Sequence, residues 1–154
     1  EEYLPEMAQP LATKHKPFLV KDGEDYGAVI DSVGLCKSGG TFVMAELYWD
    51  DIAQALEAAT GMEMPVDKLK RIGERIYNLQ RCYNVRHGIT RADDRLPRRF
   101  TDEPSPSGNA RGEVIDLARL LDEYYTLRGW DVSTGVPTPE RLRALGLEPV
   151  DSCD

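Results

Sequence analysis

Leu69, Ile72, Ile76, Leu79 and Tyr83 step by 3, 4, 3 and 4 residues, the spacing that lines one face of an α-helix. The run predicts a continuous apolar face from about Val66 to about Arg86, with Pro65 at its start and Gly88 as its stop. A helix of that length has to lay its face against other elements. No segment of convincing length alternates with period two, and the chain contains no internal repeat, so those elements are expected to be helices as well. The predicted fold class is all-α, an irregular bundle of about five to six helices joined by long polar loops.

The other helices follow from the same reasoning. Tyr26, Val29, Ile30 and Val33 give a short amphipathic helix from Asp22 to a stop at Gly34. Residues 1–21 hold Pro5, Pro10 and Pro17 without periodicity and are read as an extended lead-in, with Lys14-His15-Lys16 a solvated basic cluster. Phe42 to Leu47 is read as a short helical stretch. Asp50 is placed as the cap of Asp51 to Ala59, with Ile52, Leu56 and Ala59 inward and Gly61 as the stop. Gly73, inside the long helix, is expected where another helix crosses closely, and Cys82 is expected to be a small core residue. Thr90 to Asp94 suggests a capped single turn, and Pro104 to Gly112 a polar loop. Asp116 caps Leu117 to Arg128, with Leu117, Leu120, Leu121, Tyr124 and Leu127 inward, Gly129 as the stop and Trp130 packed back over it. Thr138-Pro139 opens a last helix carrying Leu142 and Leu145 and closed by Gly146. The apolar stripe after the polar loop needs a partner, so residues 22–154 are read as a single domain.

Charge and cysteine usage exclude several roles. Nineteen basic against 27 acidic residues leave a net charge of −8, a surface that repels phosphate backbones and anionic lipid, so neither nucleic acid nor membrane is an expected partner. No apolar run approaches the roughly 20 residues that span a bilayer. Cys36, Cys82 and Cys153 lie 46 and 71 residues apart, and His15 and His87 are the only histidines. That sparse set argues against a disulfide framework and a local zinc site, and for a reducing, cytoplasmic compartment. The start at Glu1-Glu2-Tyr3, with no methionine and no signal-peptide pattern, is read as that of an excised or processed piece. Nucleophile elbow, GxGxxG, P-loop and HExxH patterns are all absent, and no residue is assigned a catalytic role.

One stretch concentrates unusual chemistry. Asp31-Ser32-Val33-Gly34-Leu35-Cys36 places an acid, a Gly-Leu step and a cysteine within six residues, followed by Lys37-Ser38-Gly39-Gly40. Asp31 falls in the last turn of its predicted helix, where the macrodipole disfavours an acid. Its carboxylate is either a surface acid or a partner for a planar amino-pyrimidine edge, which it can meet with two parallel hydrogen bonds. Cys36 is either a small core residue or a ligand in a glycine-rich loop whose amides can point at sulfur, the setting iron–sulfur clusters use. The acid pairs Asp50-Asp51 and Asp93-Asp94 are explained as caps, and Arg95, Arg98 and Arg99 as a solvated face.

These residues resemble a known family. Asp31 to Cys36 is similar to the Asp-x-x-Gly-Leu-Cys motif near the C-terminus of the aldehyde:ferredoxin oxidoreductases. Three further stretches resemble the same region in the same order: Gly73 to Leu79 running on to Asn84-Val85-Arg86, Asp93 to Phe100, and Leu120 to Tyr125 through Arg128-Gly129-Trp130. The resemblance covers about Asp22 to about Leu147 and implies the C-terminal helical domain of a larger enzyme. That enzyme would carry tungsten or molybdenum between two pterin dithiolenes beside a [4Fe–4S] cluster, oxidise a small aldehyde to a carboxylic acid and pass electrons to ferredoxin. By the same resemblance Cys36 would be one cluster ligand, Asp31 would hydrogen-bond a pterin, and the backbone at Leu35 and Lys37 would line it. The family's other three cluster cysteines and its N-terminal and middle domains have no counterpart here. The fragment alone is therefore expected to be inactive, with those domains as its partners; the competing readings are a stand-alone helical binding module without catalysis and a family relative acting on a different substrate.

Overall fold

The computed structural model describes residues 13–36 and 47–147. Phe42 to Glu46, Lys37, Cys153 and the tail lie outside the described residues. Among the described residues six α-helices follow one another: α1 (Lys16–Val33), α2 (Trp49–Thr60), α3 (Val66–Arg86), α4 (Arg98–Thr101), α5 (Leu117–Arg128) and α6 (Pro139–Ala144), with a 3₁₀ turn at Arg91–Asp93. Among the described residues the only β-type pairings are isolated bridges, Ser105 with Arg111 and Trp130 with Pro137. The all-α reading holds.

α1 lies against α3 and α5, and α2 packs on α3. One core joins Val29 and Ile30 of α1 to Ile52, Ala53, Met64 and Leu69. A second, smaller core at the far end of α3 joins Cys82 to Leu142, Leu145 and Leu147, so the core reading of Cys82 is correct. Gly73 sits where α1 crosses α3: a Cβ there would overlap the carbonyl oxygen of Asp25 and stand 2.9 Å from its carbon. The crossing is backbone on backbone.

Several sequence expectations need correction. α1 begins at Lys16, with Pro17 in its first turn, so part of the supposed lead-in is helix; proline fits a first turn because no intrahelical N–H is needed there. α2 begins at Trp49, and the residue that closes its start is Asp51, whose carboxylate accepts the Tyr48 N–H at 2.8 Å. Its buried residues are Ile52 and Ala53, Leu56 packs half-buried on the same core as expected, and Ala59 is exposed. On α3 the predicted stripe is not followed to its end: Leu79 and Tyr83 are exposed. The inward positions there are Asn78, Arg81 and Cys82, because the neighbouring elements supply hydrogen bonds to that side. Asn78 accepts the Trp130 indole N–H at 2.8 Å, and Arg81 donates to the Gly135 carbonyl at 2.8 Å. On α5 the fully buried side chains are Tyr125 and Arg128, and the leucines read as inward are at best half-buried.

Candidate functional site

The C-terminal end of α1 carries the candidate loop. Gly34 adopts φ 76° and ψ 20°, a left-handed geometry that glycine enters without strain. Its N–H donates to the Asp31 carbonyl at 3.3 Å, and the Leu35 N–H donates to the Ile30 carbonyl at 3.1 Å. These two bonds make a Schellman stop. A Cβ at Gly34 would meet nothing within 4 Å, so the residue is glycine for its dihedral angles alone. The stop turns the chain outward. Asp31, Leu35 and Cys36 are all exposed, which removes the core-thiol reading of Cys36 and separates it from buried Cys82.

The chain beyond this loop comes back to the same helix. The Tyr26 hydroxyl donates to the Leu47 carbonyl at 2.7 Å, and the Trp49 indole N–H reaches Asp22 of α1 at 3.4 Å. Tyr26 and Trp49 meet edge to face with ring centres 5.0 Å apart. Residues 35 and 36 therefore leave from one end of α1, and Leu47 rejoins its side. Both flanks of the loop are referred to one rigid element.

What holds that element is a buried polar network that periodicity did not reveal. Arg128 of α5 is completely buried and Asp25 of α1 is 3% exposed. Arg128 Nη1 donates to Asp25 Oδ1 at 2.5 Å, Nη2 to Glu24 Oε2 at 2.8 Å, and Nε to the Tyr124 hydroxyl at 3.0 Å. Tyr77 and Tyr124 donate to the two oxygens of Glu24 at 2.7 and 2.6 Å. The guanidinium lies 4.1 Å from the centre of the Tyr77 ring. Burial raises the Asp25 carboxyl above its ordinary range, against the pull of Arg128 and Lys21. Burial and the Glu24 carboxylate together push the Tyr77 phenol up to about 12. A second cluster joins α3, α5 and the loop after the 3₁₀ turn. Arg81 pairs with Asp94 at 3.1 and 2.6 Å, and the Tyr125 hydroxyl donates to the same carboxylate. Of the acid pair Asp93-Asp94, Asp93 is the cap that was expected, accepting the Thr90 N–H at 2.9 Å, whereas Asp94 is a partner for the core.

Among the described residues no three His, Cys, Asp or Glu side chains gather closely enough to hold a metal ion. The Asp31 carboxylate and the Cys36 thiol both lie exposed at the stop of α1. This defines a class: a helical bundle domain that ends its first helix in an exposed acid and, just beyond the stop, an exposed thiol.

The comparisons identify the family. Residues 1–147 match the family described as aldehyde ferredoxin oxidoreductase, domains 2 and 3, and the chain belongs to that family. The tungsten-containing aldehyde ferredoxin oxidoreductase of Pyrococcus horikoshii is 41% identical over 126 residues, covering 81% of this chain and 20% of that protein. The enzyme of the same description from Pyrococcus furiosus is 40% identical over 125 residues, covering 80% of this chain and 20% of that protein. Among solved structures, the active-site complex BamBC of benzoyl-coenzyme A reductase with 1,5-dienoyl-CoA superposes with a TM-score of 0.73 at 27% identity, covering 96% of this chain and 21% of that one. The chain spans about a fifth of the length of the relatives it matches. Among the described residues no helix is long and apolar enough to cross a membrane.

Proposed function

We propose that this chain is the C-terminal helical domain of a tungsten-pterin, iron–sulfur aldehyde:ferredoxin oxidoreductase, and that residues 31–37 are its contribution to the redox centre. In the whole enzyme an aldehyde and water become a carboxylic acid, with two protons and two electrons released and the electrons leaving singly to ferredoxin. When bound, the tungsten (or molybdenum) bis-pterin and the [4Fe–4S] cluster supply the two-electron oxidation and its division into single electrons. Cys36 would hold one iron through its thiolate. Asp31 would accept the paired N–H donors of one pterin edge, and Leu35 and Lys37 would line that pterin. The N-terminal and middle domains supply the other three cysteines, the second pterin contact and the substrate pocket. The observation that carries this reading is the exposed Cys36 immediately after the Schellman stop of α1. In the full-length protein, Cys36→Ala should lower iron content and ferredoxin reduction together; unchanged iron would remove the ligand assignment.

One observation favours a second reading, a family relative acting on another substrate. The superposition on the BamBC complex covers 96% of this chain, which suits an aromatic-ring-reducing subunit. Its identity of 27% is below the 41% shared with an aldehyde-oxidising relative, and the aldehyde reading is preferred on that ground. Assaying the full-length protein with an aldehyde and with an aromatic CoA thioester separates the two.

A further inference from the structure

Arg128 is placed to determine an angle as well as a distance. Glu24 and Asp25 are neighbours on α1, so their side chains leave the helix about 100° apart. One planar guanidinium engages both, at 2.8 and 2.5 Å, and also reaches the Lys21 carbonyl at 3.3 Å. A rotation of α1 about its axis, or a slip along it, breaks at least one of these bonds. Apolar packing would tolerate the same movement. Gly73 sets how closely α1 approaches α3, and the fork on Arg128 sets how α1 is turned once it is there. Asp25 lies nine residues before Gly34, about 14 Å along a rigid helix, so a turn of α1 at Asp25 is transmitted to Cys36. Buried ion pairs stabilise little relative to apolar residues of similar volume, and their best-attested use is to fix register.

We propose that Arg128 is a positioning residue for the cofactor loop: by bridging Glu24 and Asp25 it sets the rotation and register of α1, and so where Cys36 presents its thiol. The proposal rests on the reading of Cys36 as a cluster ligand. It does not touch substrate or cofactor itself.

The test uses the full-length enzyme in three variants, each read by thermal midpoint, by the EPR line shape and midpoint potential of the reduced cluster, and by the alkylation rate of Cys36 with iodoacetamide in cluster-free protein. Arg128→Lys keeps the charge and loses the fork. The double variant Asp25→Leu with Arg128→Met replaces the pair by apolar groups. Leu142→Ala, in the second core, destabilises without touching α1. The first two should shift the EPR line shape and potential and change the alkylation rate, and Leu142→Ala should lower only the thermal midpoint. Folded Arg128→Lys or double-variant protein with the wild-type spectrum, potential and alkylation rate overturns the proposal. An equal spectral shift in Leu142→Ala also overturns it, because general loosening would then suffice. Unchanged iron in Cys36→Ala marks the separate failure of the ligand reading.

Discussion

Asp25 and Asp31 stand on the same helix, six residues apart, in opposite settings. Asp25 is 3% exposed and ion-paired with Arg128 at 2.5 Å, whereas Asp31 is exposed on the last turn. The middle of α1 is held by side chains from two other helices; its end is held by two main-chain bonds of the Schellman stop. The buried half of α1 carries charges that α3 and α5 satisfy, and its other end carries an exposed acid. An acid against the macrodipole is a modest burden at an exposed end.

Three substitutions test this contrast. The largest effect on stability should come from Gly73→Ala, because the new methyl would overlap the Asp25 backbone, which cannot swing aside as a side chain would. Overpacking of this kind costs about 1–3 kcal/mol, and chemical denaturation of the variant should show a loss in that range. A loss near zero would mean that α1 can move away from α3. Gly34→Ala should cost about 1 kcal/mol, from the left-handed dihedral alone, since space around the position is open. In the full-length enzyme the same change should disturb cluster loading more than Gly73→Ala does at equal stability, and the reverse order of iron contents would erase the division between the two halves of α1. The smallest effect concerns Tyr77. Its phenol is raised from 10.0 to about 12 in the folded state, so between those values the folded protein keeps a proton that the unfolded chain releases. Stability must therefore fall as pH rises from about 10 to about 12. The Tyr124 and Tyr125 phenols are raised too and add slope of the same sign, so Tyr77→Phe should make that part of the pH–stability curve shallower by one group's share, and an undiminished slope in the variant would place the Tyr77 titration elsewhere.

The helices that could be read were those with punctuation at both ends. α3 runs from Val66 to Arg86 as its spacing predicts, and α5 lies between Asp116 and Gly129. α1 was read short because Pro17 looked like a break, although its place in a first turn makes it a beginning. The polar network was hidden by charge. Asp25, Ala28 and Val29 share the i, i+3, i+4 spacing of a buried stripe, and Leu117, Leu121, Tyr124 and Arg128 share the same spacing on α5. A search for apolar residues skips the Asp and the Arg, since burial of a charge depends on a partner that is 103 residues away in sequence. Cys36 shows the opposite limit. Local spacing left its thiol either in the core or at a site, and only its exposure after the stop at Gly34 removed the core.

The contact at Gly73 has a consequence for tolerance to sequence change. Where two helices are spaced by side chains, every exchange of a leucine for a valine resets their separation slightly. Here the spacer is main chain on main chain, whose dimensions are the same whatever residues surround it. The seam between α1 and α3 can therefore accumulate substitutions that weaken or strengthen it without changing its gauge. The exposed end of α1 is thereby referenced to a seam that substitutions around it scarcely resize.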